Sequence, residues 1–251
     1  GHGLCGACKT DVVDGEVDHG PASPFALMDF EREDGKTLAC CATLMADTTI
    51  EADVEEDPDA RRIAVRDFEG VVVALDDLTH DVKGLRIAID GEPIDFQAGQ
   101  YVNVSMPGVE GTRAFSIASE PADSGHVELQ IRKVPGGAGT GYVHEKLKPG
   151  DRVSFSGPYG RFLVRKSRGG PLLFLAGGTG VSSPRSMILD LLADGYDAPI
   201  TLVHGVRTQR DLYGREEFEA LAATHPNFRY APALSDEPES SGWAGERGFV
   251  R

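Results

Sequence analysis

All four cysteines of this chain stand in its first 41 residues: Cys5 and Cys8 as a C-x2-C pair within GHGLCGACK, and Cys40-Cys41 as a vicinal pair within LACCA. Thiols grouped in this way restrict a fold more than any apolar pattern does, because they must converge on something. A disulfide framework spreads its cysteines through the chain, and 251 residues do not need one. A zinc ribbon uses two C-x2-C knuckles, and adjacent cysteines cannot easily both face one tetrahedral metal. A thioredoxin-type pair follows a strand and opens a helix, whereas KTDVVDGEVD follows here and reads as a short hairpin. A plant-type 2Fe-2S centre has the spacing C-x4-C-x2-C with a distant fourth cysteine. Counting back from Cys5 puts its first ligand one residue before Gly1, with GHGL as the spacer and LACCA as the distant ligand. Glycines suit such a loop, where backbone N–H groups close around sulfides and several residues need unusual φ.

The other 210 residues divide by pattern. EADVEEDPDARRIAVRDFEG (51–70) is charged and suits an inter-domain linker. From Val71 onward, VVVAL, LRIAI, YVNVSM, FSIAS, VELQIRK and RVSFSG alternate between turn signals, which predicts a small antiparallel barrel or sandwich. GTGYVHEKL (139–147) interrupts them as a helix. After PYGRFLVRKSRGG the pattern changes. PLLFLAG is an unbroken apolar run, as expected of a buried parallel strand. SSPRSMILDLLADG, PITLVHG, REEFEALAATH and FRYAPAL complete βαβαβ, which predicts a parallel sheet with nucleotide at the carboxyl ends of its strands. The formal net charge of −15 argues against a nucleic acid partner. No apolar run reaches bilayer length and no signal peptide is visible, so a cytoplasmic protein with no membrane partner is expected.

Three motifs carry chemistry. RAFSIAS (113–119) offers Arg113 for charge-assisted hydrogen bonds to a pyrophosphate, with Ala114 beside it. RAFSIAS resembles the R-x-[YF]-S flavin motif of ferredoxin–NADP reductase-like flavoproteins, which implies Phe115 against an isoalloxazine ring and the Ser116 hydroxyl near flavin N5. An ordinary strand with an exposed arginine would read the same in isolation. IRKVPGGAGTGYVHEKL places Arg132, Val134, Gly136 and Gly137 where a loop enters a helix, so that backbone N–H groups can bind a diphosphate and Thr140 can add its hydroxyl. AGGTGVSSP (176–184) lacks the third glycine of the dinucleotide fingerprint. Gly177, Gly178 and Gly180 let backbone approach a cofactor, Thr179 sits where nicotinamide must pass, and Pro184 suits the first helical turn. In VRTQRDLY, Arg207 and Arg210 stand at the usual place for the adenosine ribose; whether they favour NADPH or are solvated surface arginines stays open on the residues alone. GPYGRF (157–162) closes the barrel. No nucleophile elbow, P-loop or H-E-x-x-H is present.

A barrel followed by a parallel nucleotide lobe with these motifs resembles the ferredoxin–NADP reductase-like flavoproteins. GHGLCGACK with PASPFALMDFEREDGKTLACCATLMADTTIEADVEEDPDA resembles the N-terminal ferredoxin domain of the reductase components of multicomponent phenol hydroxylases. The resemblance runs along the whole chain. It implies a multi-domain α+β and α/β fold: a β-grasp ferredoxin fragment (1–57), a linker (58–67), a Greek-key FAD-binding barrel (68–168) and a truncated NAD-binding lobe (169–251). It implies Cys5, Cys8 and Cys40 as cluster ligands with Cys41 turned away, FAD and NADH as further cofactors, and Ser116 and Thr179 at the reacting atoms. Electrons would pass from NADH through flavin and the 2Fe-2S cluster to a di-iron hydroxylase. Reductases of other oxygenases, or a truncated fold that only binds, share the same modules.

Overall fold

The computed structural model describes all residues except 1, 2, 4, 5, 7, 53–56 and 251. The chain forms two compact units, residues 1–57 and 58–251. In the first, β1 (Lys9–Asp14), β2 (Val17–Asp18), α1 (Asp29–Glu33), β3 (Lys36–Leu38), β4 (Thr43–Leu44) and β5 (Thr49–Glu51) follow one another. The stretch read as a hairpin is not one. β1 lies between β3 and β5, both antiparallel to it, while β2 pairs with β4 in a separate ribbon. Gly15, at φ +96°, lets the chain turn out of the first sheet, and a Cβ there would meet the Asp47 carbonyl at 2.4 Å. Ala22, Ala26, Leu27 and Leu38 form the small core of this unit.

The second unit opens with a six-stranded antiparallel sheet of β6 (Arg66–Asp77), β7 (Val82–Ile89), β8 (Tyr101–Ser105), β9 (Thr112–Ser116), β10 (His126–Arg132) and β11 (Arg152–Tyr159), with α2 (Ala138–Glu145) between the last two. The spatial order β10-β7-β6-β11-β8-β9 and a bridge between Ile117 and Leu129 bring the sheet's ends together into a nearly closed barrel. Alternation along each strand sends Leu85, Ile87, Val102, Val104, Val127, Leu129, Ile131, Val153 and Phe155 inward. Phe155 stacks on Phe68 with ring centroids 5.2 Å apart. β6 already includes Arg66 and Asp67, so these belong to the barrel and not to a linker. The residues before it are also pinned: Ser167 donates from N and Oγ to Asp59, and Arg61 N donates to Gln97 Oε1 at 2.7 Å.

The nucleotide lobe is a parallel sheet of β12 (Leu172–Gly177), β13 (Ile200–Val206), β14 (Phe228–Leu234) and the short β15 (Glu246–Arg247), crossed by α3 (Ser182–Ala193) and α4 (Arg215–Thr224). Met187, Ile188 and Leu191 of α3 and Phe218 of α4 pack on Phe174, Ala176, Ile200 and Leu202. The expectation of a strand buried on both faces fails for β12. Both helices cover the same face, and Leu173 and Leu175 on the other are 63% and 50% exposed. Truncating the stacked barrel core, Phe155→Ala, is expected to lower the unfolding free energy by about 3–5 kcal/mol, measured by urea denaturation followed by far-UV circular dichroism.

Candidate functional site

Three places gather the residues expected to hold cofactors. The first lies where β9 meets α2. Arg113 reaches over the start of the helix so closely that a Cβ on Gly139 would come 2.8 Å from Arg113 Cγ. Its Nη1 donates to the carbonyls of Glu110 and Thr112, which fixes the guanidinium plane. The first amides of α2, from Ala138, Gly139 and Thr140, have no carbonyl one turn earlier to bond within the helix. A guanidinium beside helix-terminal N–H groups is a donor set suited to a diphosphate. Gly136 takes φ +72°. Val134, Gly136 and Gly137 line a cavity of about 400 Å³ together with Pro107, Lys133 and Tyr142. Thr140 does not offer its hydroxyl outward. Its Oγ1 accepts from Val134 N at 3.1 Å and lies within 3.4 Å of the Gly137 carbonyl, so it ties the loop to the helix.

Ala114 is exposed, whereas Phe115 and Ser116 are half-buried. Phe115 packs against the barrel core. Ser116 stands opposite Tyr101 on β8, and Tyr101 stacks on Tyr159 at 5.5 Å.

The second place is a cleft of about 220 Å³ at the carboxyl ends of β12 and β13. Gly177, Gly178 and Thr179 line it, with Gly178 in the left-handed region at φ +52°. Arg207 lines it too, and so does Arg132, which the sequence grouped with the α2 loop. Arg132 Nε donates to Asp81 Oδ2 at 2.8 Å, and this pair brings the barrel's β6–β7 turn to the cleft. Partial burial pushes the Asp81 carboxyl up, but its bonds with Arg132 and Thr79 outweigh this and hold it below the usual carboxylate range. Gly180 is exposed and Pro184 is buried in the first turn of α3; both shape the turn without lining the cleft.

Sequence reasoning missed Asp81, Asp211, Tyr213 and Ser235, which also line the cleft. It also missed His204 on β13, fully buried behind the glycine loop with its Nε2 at 3.1 Å from the Gly178 carbonyl. Burial pushes this imidazole down to about 4, so it is neutral near pH 7 and Nε2 carries the proton it donates. No short motif marks any of these, since each reads as a turn residue or an ordinary strand position.

The third place is the cysteine loop. Cys5 lies outside the described residues. Cys8 Sγ accepts from Cys40 N at 3.4 Å, and Cys40 is exposed. Cys41 is less exposed, and its thiol stays within hydrogen-bond reach of the Cys40 thiol. Its Sγ lies 3.5 Å from the His19 carbonyl and packs against the Ala22–Leu38 core. Some burial raises the Cys40 thiol, but hydrogen bonds with Cys8, the Gly3 backbone and Cys41 outweigh it and lower the group overall. Burial first, then the neighbouring Cys40, raises Cys41. An exposed, easily ionised thiol beside Cys8 suits a metal ligand, while a raised one against apolar side chains suits packing. Gly3 and Gly6, at φ +64° and +70°, supply the loop conformation.

Comparisons with known proteins match three domain families along the chain. Residues 1–45 match a 2Fe-2S iron–sulfur cluster binding domain, 69–163 an oxidoreductase FAD-binding domain and 174–251 an oxidoreductase NAD-binding domain. The chain is 56% identical to the reductase component of phenol 2-monooxygenase from Pseudomonas sp. (strain CF600), covering 100% of this chain and 70% of that protein. It is 54% identical to the phenol hydroxylase P5 protein of Acinetobacter pittii (strain PHEA-2), with the same coverage. The chain belongs to the family of phenol hydroxylase reductase components.

The solved structure of a ferredoxin reductase in carbazole 1,9a-dioxygenase, 28% identical, superimposes on this reductase with a TM-score of 0.77 over 99% of this chain and 72% of that one. FAD, NAD and a 2Fe-2S cluster are thus the cofactors of this reductase, and the donor sets described above fit them. Among the described residues, no helix is long and apolar enough to cross a membrane. Arg113→Ala is expected to weaken FAD binding by one to two orders of magnitude, the loss of a charge-assisted bond worth roughly 1.5–3 kcal/mol. Flavin retained after gel filtration of dilute protein measures it, and undiminished content excludes this role for Arg113.

Proposed function

We propose that this reductase draws electrons from NADH and delivers them, in the cytoplasm, to a di-iron hydroxylase component that oxygenates phenol or a related aromatic. The observation that carries the reading is the cleft in which Arg132 and Asp81 of the flavin barrel meet Gly177, Gly178 and Thr179 of the nucleotide lobe. Such a cleft suits a nicotinamide nucleotide held at the junction with the flavin-binding barrel. The bound groups supply the redox chemistry: a two-electron donor, a carrier that releases electrons singly and a one-electron acceptor.

The chain's own residues bind and orient. Arg113 and the first amides of α2 hold the flavin diphosphate, and the Val134–Gly137 loop, tied back by Thr140, shapes its bed. Phe115 and Ser116, half-buried at the end of β9, would border the flavin ring, where the Ser116 hydroxyl could tune N5. Gly177 and Gly178 let backbone approach the nicotinamide nucleotide beside Thr179, while Gly180 and Pro184 turn the chain into α3. Cys5, Cys8 and Cys40 are thiolate ligands of the cluster. The aromatic substrate is not bound by this chain, and the di-iron character of the acceptor rests on the family resemblance.

In the full-length reductase, Cys40→Ser is expected to abolish the cluster's visible absorption and electron delivery to the hydroxylase, while NADH still bleaches the flavin. Cys41→Ser is expected to leave all three intact. The reverse pattern in absorption spectra would show that Cys41 is the ligand.

The coenzyme preference has a structural argument. Arg207 Nε donates to Asp236 Oδ2 at 3.2 Å, and the Asp236 amide donates to the Arg207 carbonyl. Glu237 stands next along the chain and accepts from Gln209 N and Nε2. A ribose 2′-phosphate would meet an arginine already paired and two carboxylates. Asp236→Ser is expected to lower the KM for NADPH about tenfold, equivalent to roughly 1.4 kcal/mol, and to change that for NADH much less. Steady-state kinetics with both coenzymes decides it.

A further inference from the structure

Gln130 is a polar residue at a position where alternation predicts solvent. On β10, Val127, Leu129 and Ile131 point into the barrel, so Gln130 points out of it. It is nevertheless buried, because the nucleotide lobe covers it. Its Oε1 accepts from Tyr213 Oη at 3.2 Å. It also lies 2.9 Å from Ser182 Oγ, at the first residue of α3. Ser182 Oγ is equally 2.9 Å from the carbonyl of Thr179, so one hydroxyl proton is shared between the barrel amide and the nicotinamide loop. The neighbouring carbonyl of that loop, Gly178, faces His204 Nε2, and the His204 ring meets Tyr213 edge-on at 5.6 Å.

We infer that Gln130 is a positioning residue that sets the distance between the nicotinamide loop and the flavin-bearing strands. Its contacts fall where such a device must act. One partner is bonded to the Thr179 carbonyl. The strand that carries Gln130 bridges, through Leu129, to Ile117, directly after Ser116 of the flavin motif. A shift of the loop relative to Gln130 is therefore a shift of nicotinamide relative to the flavin ring. Transfer between two bound reactants falls steeply with misplacement, by roughly 10²-fold for 1 Å. A buried amide whose partners are side chains of the other lobe also resists sliding, because displacement leaves polar atoms unpaired out of water. A purely structural role would affect stability or binding without a specific effect on the transfer step.

The inference rests on the NADH-to-flavin reading above, and the test separates the two. In full-length, FAD-loaded reductase, stopped-flow flavin bleaching gives the limiting reduction rate and the NADH dissociation constant independently. Gln130→Met keeps the side chain's length and removes its hydrogen bonds. It is expected to lower the limiting rate about 10- to 100-fold, with flavin content and NADH dissociation constant within about threefold of wild type. Tyr213→Phe, which removes one bond and keeps the ring, is expected to lower the same rate severalfold. In flavin-free protein, Gln130→Met is expected to speed amide hydrogen exchange across residues 178–183 while 188–193 stay protected.

If wild type is not reduced by NADH, the functional reading fails. If wild type is reduced and Gln130→Met matches it in rate, or loses only affinity for NADH, the positioning role is overturned. Unchanged exchange across 178–183 overturns it as well. If Gln130→Met does not fold, Tyr213→Phe with an unaltered rate is decisive against it.

Discussion

Arg185 carries a charge into the seam between barrel and nucleotide lobe, and both half-sites take their registration from that seam. Its guanidinium donates twice to Glu217 of α4, at 2.7 and 2.8 Å, and crosses to the barrel, where Nη1 meets the Ala118 carbonyl at 2.6 Å and Glu128 at 3.2 Å. Burial alone would lower its proton affinity, but Glu217 and Glu128 outweigh it and the group stays charged. A charge so placed is tolerated only while its partners hold. Sliding the lobe would strand it. The contact lands one residue beyond the Ile117 bridge, at the end of the flavin motif. The glycine loop is thereby held against the strands that carry Arg113, Phe115 and Ser116.

The cleft inherits its chemistry from this seam. Arg132, from β10, and Asp81, from the β6–β7 turn, neutralise one another beside the loop, so the barrel contributes an ordered polar wall with little net field. His204 backs the same loop from the lobe's interior as a neutral donor, kept neutral by burial. The flavin side is built differently. There a helix start, a positive-φ glycine and one arginine make an open cradle, which suits a ligand that stays bound. Between the two cradles no acid or base is needed, because what must be controlled is approach and not proton transfer.

Much of this was legible beforehand, and the reason is local. The switch from short alternating runs to PLLFLAG and helical periodicity marks a barrel giving way to a parallel lobe. RAFS and GGTG are short contiguous motifs at strand ends, and in the second the positive φ of Gly178 calls for glycine. The cysteine spacing proposed an iron–sulfur loop, and the matched domain family supports it. Where the reading failed, the deciding partner was distant in sequence. KTDVVDGEVD turns as a hairpin would, yet its two strands find β3, β4 and β5 instead. Thr140 was expected to face a phosphate and instead holds Val134 in place. Arg132, three residues before Pro135, was assigned to the loop and belongs to the cleft.

The sequence by itself determined what depends on a few consecutive residues: the order of modules, the glycine turns, the helix starts and the chemical class of each cradle. Backbone conformation and periodicity are short-range, so a single chain reveals them. Only the tertiary structure decided which outward-facing polar residues are buried and by what. Gln130 and Glu128 stand on the barrel's outer face, where a strand pattern assigns solvent, and Asp81 occupies an unremarkable turn. Their roles follow from a second layer packed over that face, bringing Ser182, Arg185 and Tyr213 from 52 to 83 residues away. Desolvation is a property of that packing, and no local pattern encodes it.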